Sequence, residues 1–202
     1  MKIIKYEKIN QDKYKIYLDN QKTITIHEDV ILKNKLLYKK EIDLDLLNKL
    51  DKENDNQDLY IKCVKYISIR LRSKSEIKEY LERKNVDSDL INKIITKLEN
   101  EKLLDDVRFA KAFTKDKLNF TTMGPYKIEQ ELKKHKIEQN IISECIYEID
   151  SDLLVQKIKK QIEKQIKSKK NKTNLKNKIY QNLYSLGYPN ELILDNLNKY
   201  NL

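Results

Sequence analysis

Three copies of one apolar pattern, set 51 residues apart, constrain this chain more than any other feature. Ile77, Ile128 and Ile179 form one column, and Leu81, Leu132 and Leu183 form another. The same step carries Val86 to Ile137 to Tyr188, Ile91 to Ile142 to Ile193, and Ile95 to Ile146 to Leu197. Within each copy the apolar residues recur at three and four positions, the period of a helix with one buried face. A sixth column, Asn85, Lys136 and Gly187, falls just after the middle helix of each copy, where the chain turns through the left-handed region that Gly and Asn enter most easily. Six columns in register across three copies mark a true internal repeat.

Each repeat is expected to contain three helices. In the first they cover about Asp58 to Leu71, Lys74 to Lys84 and Ser88 to Lys102; in the second, Asp106 to Asn119, Pro125 to His135 and Glu138 to Ile149; in the third, Asp152 to Lys169, Thr173 to Leu186 and Pro189 to Lys199. Ser73, Ser75, Asp87 and Ser88 are candidate caps, and Pro125 and Pro189 suit a first helical turn. One such unit leaves an apolar face open, so the repeats must pack on one another, which predicts an elongated, curved body.

The first fifty residues differ. Lys2 to Ile9 and Tyr14 to Leu18 alternate apolar and polar residues, Thr23 to Ile26 is mostly β-branched, and Asn10-Gln11-Asp12 and Asp19-Asn20 are turn formers. Two or three short antiparallel strands follow, closed by a helical turn near Glu28 to Leu32 and a short helix near Leu44 to Leu50. The polar stretch Asp51 to Gln57 reads as a linker. The expected division is a strand-rich extension over 1–55 and repeats over 56–104, 105–150 and 151–202, mainly α overall.

A charged fraction of 37% against 39% hydrophobic residues suits a helical protein with much surface per residue. The formal charge of +10 is uneven: residues 151–202 hold 11 Lys against four acids, or +7 of the total. Such a field attracts polyanions, nucleic acid first among them. No apolar run is long enough for a membrane span and no signal peptide is evident, so the chain is expected to be cytoplasmic. Cys63 and Cys145, each among apolar neighbours, read as buried free thiols.

Chemistry-bearing motifs are missing. Two glycines cannot build a phosphate loop, and there is no HExxH, CxxC or Gly-x-Ser-x-Gly. His27, at a strand end, and His135, at a helix end, read as surface or dipole-interacting groups. The pair Asp105-Asp106 precedes an apolar-periodic helix and reads as capping rather than metal binding. The chain is expected to be no enzyme and to need no cofactor or metal. Basic residues offer more. Arg70, Arg72 and Lys74 cluster between two helices, Lys133 and Lys134 end another, and Arg83, Arg108 and Lys127 extend the candidate set. Between Lys157 and Lys178 ten lysines face one acid, Glu163, and Lys157, Lys160, Lys164 and Lys167 repeat at helical spacing as one basic stripe.

The stretch Arg70-Leu71-Arg72-Ser73-Lys74-Ser75-Glu76-Ile77, followed by Leu104-Asp105-Asp106-Val107-Arg108-Phe109-Ala110, closely resembles the RecX family of recombination regulators over residues 57 to 200. Lys117 stands where members commonly have Arg, and Asn85 and Lys136 replace a frequent Gly. The chain is expected to be a monomer, and the resemblance implies a protein that lies in the helical groove of the RecA recombinase filament on single-stranded DNA. There it would mainly inhibit ATP hydrolysis, strand exchange and co-protease activity; the basic face makes single- or double-stranded DNA an expected weaker partner. A nucleic-acid-binding module acting through phosphate contacts alone is the alternative.

Overall fold

The computed structural model describes residues 1–168 and 174–200; Lys169, Lys170, Lys172 and Thr173, which belong to the basic run and the expected start of a helix, lie outside the described residues. The chain is mainly helical, with a small three-stranded antiparallel sheet at the N-terminus, and divides into two compact units: Met1–Arg70 with Tyr80–Leu103, and Leu71–Glu79 with Leu104–Leu202.

In the first unit, β1 (Ile3–Lys8), β2 (Lys13–Leu18) and β3 (Thr23–His27) pair in sequence order. The turn between β1 and β2 is closed by the Asn10 side chain, whose Oδ1 accepts the Asp12 and Lys13 N–H groups at 3.0 and 2.9 Å. Alternation sends Ile16, Leu18 and Ile26 to one face. There they form a core with Val30 and Ile31 of α1 (Glu28–Lys33), Leu36 of a 3-10 turn, Ile42, and Leu47 and Leu50 of α2 (Leu44–Ile69).

Helix α2 corrects the expectation of a linker at residues 51–57, because it runs unbroken through them. The stretch has no Gly or Pro, and its polar side chains are ligands of the N-terminal elements rather than a solvated spacer. Glu53 receives Lys33 at 2.9 Å, Asn54 Oδ1 accepts the His27 N–H at 2.9 Å, and Gln57 donates to Asp29 at 2.8 Å. One turn on, Asp58 accepts Lys13 at 2.9 Å and meets His27 Nε2 at 2.7 Å. Partial burial acts to raise the Asp58 pKa, but the His27 and Lys13 hydrogen bonds outweigh it and hold the carboxyl below its ordinary value. His27 is therefore no surface group: 3% of it is exposed, and its imidazole joins β3 to α2. Helix α4 (Ser88–Asn100), capped by Asp87 on the Leu90 N–H, completes this unit.

The second unit holds the start of α3 (Lys74–Glu82) and α5 (Asp106–Phe120), α6 (Pro125–Lys134), α7 (Gln139–Tyr147), α8 (Ser151–Ser168), α9 (Leu175–Ser185) and α10 (Asn190–Leu197). The residues of three repeat columns are all buried, Ile77, Ile128 and Ile179, Leu81, Leu132 and Leu183, and Ile91, Ile142 and Ile193, and those of the second and third repeats belong to the core of the second unit. The sixth column behaves as its chemistry requires, with φ of 57° at Asn85, 55° at Lys136 and 89° at Gly187.

The two motifs of the resemblance turn out to be helix starts. Ser73 and Glu76 form a capping box: Ser73 Oγ accepts the Glu76 N–H at 3.2 Å, and Glu76 Oε2 accepts the Ser73 N–H at 3.1 Å. Arg72 Nη1 lies 3.6 Å from Glu76 Oε1, with both side chains largely buried. Asp105 caps α5 through the Val107 and Arg108 N–H groups, at 2.8 and 3.0 Å. Asp106 instead caps α3, accepting the Lys74 N–H at 2.8 Å. Cys63 and Cys145 are buried free thiols.

Candidate polyanion-binding cleft

Helix α8 starts where Asp150 Oδ1 accepts the Asp152 N–H at 2.8 Å, and it buries Leu154, Ile158 and Ile162 on one stripe. On the neighbouring stripe Lys157, Lys160, Lys164 and Lys167 follow one another at steps of three and four. These four line a cleft of about 700 Å³ against the end of α5, with Leu118, Phe120, Thr121 and Thr122 forming the opposite wall. The stripe read from the sequence is thus one continuous surface.

Its members differ in what they do. Lys157 is half-buried and donates to the carbonyls of Leu118, in a very short contact, and of Thr121, at 2.8 Å. It satisfies the end of α5, where backbone carbonyls lack helical partners. Desolvation, and to a lesser degree the charge of Lys160, lowers its ammonium pKa. Lys160, Lys164 and Lys167 are exposed, and among the described residues none has an acidic partner. Glu163, the one acid among the described residues of the cleft, faces the Tyr200 hydroxyl at 3.5 Å. At the mouth stands Phe120, 83% exposed. It is not among the residues that the basic stripe singles out. The available signal was its place off the buried stripe of α5, which runs through Phe109, Ala110, Thr114 and Leu118.

The other basic candidates are not drawn into this cleft. Arg70 is exposed at the end of α2, and Arg83 is exposed just beyond α3. Arg72 is 10% exposed and faces Glu76, and Lys74 is half-buried at the start of α3. Arg108 is exposed in the first turn of α5, and Lys127 on α6. Lys133 and Lys134 pair within α6 with Glu129 and Glu131, each at 2.7 Å. His135 ends α6 with its ring edge-on to Phe109 and Phe113, at centroid distances of 5.1 and 5.2 Å. Among the described residues no group of three or more His, Cys, Asp or Glu is placed to hold a metal ion, and no helix is long and apolar enough to cross a membrane.

Family models match the first two three-helix repeats. The family model described as RecX, first three-helix domain, matches residues 60–98, and that of RecX, second three-helix domain, matches residues 105–146. A regulatory protein RecX of Listeria innocua is 30% identical over 194 residues, which span 94% of this chain and 71% of that protein. The chain belongs to the RecX family. A RecX of Oceanobacillus iheyensis is 27% identical, over 93% of this chain and 71% of its own length. The fold agrees as well. A crystal structure of a regulatory protein RecX matches with a TM-score of 0.85 at 22% identity, covering 96% of this chain and 98% of that one. The crystal structure of RecX from Lactobacillus salivarius matches with a TM-score of 0.67 at 27% identity, covering 73% of this chain and 97% of that one. RecX proteins are named as regulators, so this chain has a regulatory role.

Proposed function

We propose that this regulatory role is exerted on the RecA recombinase: the chain binds the filament that RecA forms on single-stranded DNA and restrains its ATP hydrolysis, strand exchange and co-protease activity, by contact alone and as a monomer in the cytoplasm. The observation that carries the reading is the row of Lys160, Lys164 and Lys167, exposed and without acidic partners among the described residues, in a chain of the RecX family. Unpaired charge at a protein surface is available to an anionic partner at little desolvation cost. A filament is a periodic array of subunits around a polyanion, so repeats at 56–104, 105–150 and 151–202 can engage it at several points. Linked contacts of that kind bind tightly even when each is weak. Arg70, Arg83, Arg108 and Lys127 are further candidate contacts; Arg72, Lys74 and Lys157 contribute chiefly by holding the helices that present them.

The second reading, an independent nucleic-acid-binding module, is favoured by the same unpaired lysines, which suit phosphates equally well. It predicts equal binding to naked and recombinase-coated DNA. The two separate in the rate of single-stranded-DNA-dependent ATP hydrolysis by RecA, titrated with this chain from sub-stoichiometric to equimolar ratios. A dose-dependent fall that persists with DNA in excess supports action on the filament. No fall, or one that excess DNA erases, contradicts it.

A further inference from the structure

The cleft between the end of α5 and α8 presents two chemistries side by side. Along α8, Lys160, Lys164 and Lys167 rise in steps of about 4–6 Å, without acidic partners among the described residues. At the mouth the Phe120 ring stands 83% exposed, although Phe109 and Leu118 of the same helix are buried. An occupant must supply closely spaced anions and flat apolar faces together. An acidic polypeptide supplies both only where aromatic residues happen to lie among its carboxylates, and a duplex supplies phosphates while its stacked bases are hidden. A single nucleic-acid strand supplies both, because its unstacked bases can lie on an aromatic ring while its phosphates follow a basic row.

From this we infer that the cleft seats single-stranded nucleic acid directly, with Phe120 stacking on one base and Lys160, Lys164 and Lys167 receiving the flanking phosphates. The inference rests on the proposed function only in taking the cleft as the contact surface; it concerns nucleic acid without any recombinase. Lys157 is not among the phosphate contacts, since its ammonium is held by the Leu118 and Thr121 carbonyls. Glu163 lies in the same cleft beside the Tyr200 hydroxyl, and the row around it remains net positive.

The chain has no tryptophan, so Phe120→Trp places a single reporter at the proposed stacking position. Titrating that variant with an oligothymidylate strand is expected to quench its emission, because stacking on a base brings the indole and the base into contact. In parallel, fluorescence anisotropy with labelled strands compares wild type, Phe120→Ala and the double variant Lys160→Ala, Lys164→Ala. Phe120→Ala is expected to bind single strand about five- to a hundredfold more weakly, and duplex of the same length less than about twofold more weakly. The lysine pair is expected to weaken both and to lower the single-strand salt slope by about 1.4. Phe120 is exposed, so its replacement leaves the core intact, and circular dichroism verifies that the variant is folded. Three results would each overturn the inference: wild-type single-strand affinity in Phe120→Ala, unchanged emission of Phe120→Trp at saturation, or displacement of the strand by polyglutamate at equal charge. The last would assign the cleft to an acidic polypeptide. None of these assays contains RecA, so their failure leaves the proposed function standing, and failure of the ATPase test leaves this inference standing.

Discussion

Gly124 and Gly187, the only two glycines of the chain, lie backbone to backbone. The Gly124 N–H donates to the Leu186 carbonyl at 2.7 Å, and the Tyr126 N–H donates to the Gly187 carbonyl at 3.0 Å. The turn after α9 thereby satisfies backbone donors at the start of α6, which a helix cannot satisfy for itself. A Cβ on Gly124 would stand 2.5 Å from the Gly187 oxygen, and one on Gly187 would stand 2.5 Å from the Lys127 nitrogen, so neither position admits a side chain. Gly187 also has φ of 89°, which L-residues rarely adopt.

Either Gly→Ala substitution is therefore expected to cost about 2–4 kcal/mol, the range for backbone strain combined with overpacking. Thermal unfolding followed by circular dichroism should show a melting point lower by roughly 5–15 °C for Gly124→Ala and for Gly187→Ala. A wild-type melting point would mean that the second and third repeats do not meet through this backbone contact.

The capping box at α3 gives a second test. Glu76→Ala removes both the acceptor of the Ser73 N–H and the carboxylate facing Arg72. A loss of about 1–3 kcal/mol is expected in urea unfolding. Glu76→Gln keeps an acceptor for the Ser73 N–H and is expected to recover at least half of that loss. Equal losses in the two variants would show that charge, not capping, dominates at this position.

Lys157 should behave as a structural residue although it belongs to the basic stripe. Lys157→Met keeps the aliphatic stem but strips the donor from the Leu118 and Thr121 carbonyls. The expected cost is about 1–3 kcal/mol, whereas Lys164→Met, at an exposed site, should change stability by less than about 0.5 kcal/mol. Chemical denaturation of the two variants side by side measures the difference.

Alkaline pH should weaken the fold. Burial pushes the Cys63 thiol up from 9.0 to about 11 and the Tyr188 phenol up from 10.0 to about 12. Both groups keep their protons longer folded than unfolded, so their contribution is fully present below about pH 9 and is lost as pH rises through 11 to 12. Urea midpoints measured across that window should fall with pH, and Cys63→Ala should flatten the part between 9 and 11. An unchanged slope in Cys63→Ala would remove the thiol from this account.

The repeat was legible because burial on one helical face needs apolar residues at fixed spacing, and Ile77, Ile128 and Ile179 meet that need identically. The left-handed column was legible through Gly187 and Asn85, whose chemistry suits positive φ, even with Lys136 among them. A seventh column, Ile94, Cys145 and Asn196, is buried as well but escaped notice because Asn is not apolar. Asn196 repays part of its burial by donating to the Leu192 carbonyl at 2.8 Å. What sequence could not convey was which polar groups meet across distance. Asn54 looks like a linker residue and Asp58 like a helix start until His27 and Lys13 are seen on them. Asp106 sits beside the capping Asp105 yet serves α3, and Lys157 shares its spacing with Lys160 while facing inward. Phe120 left only a faint trace, its place off the buried stripe of α5, because its ring is exposed.

The most direct test of the central claim is the rate of single-stranded-DNA-dependent ATP hydrolysis by RecA, titrated with wild type and with the triple variant Lys160→Glu, Lys164→Glu, Lys167→Glu. All three side chains are exposed, so the variant should keep its helicity. Inhibition by wild type and its loss in the triple variant, with an unchanged circular dichroism spectrum, is the predicted result. Equal inhibition by both proteins would remove the cleft of α5 and α8 from the regulatory mechanism.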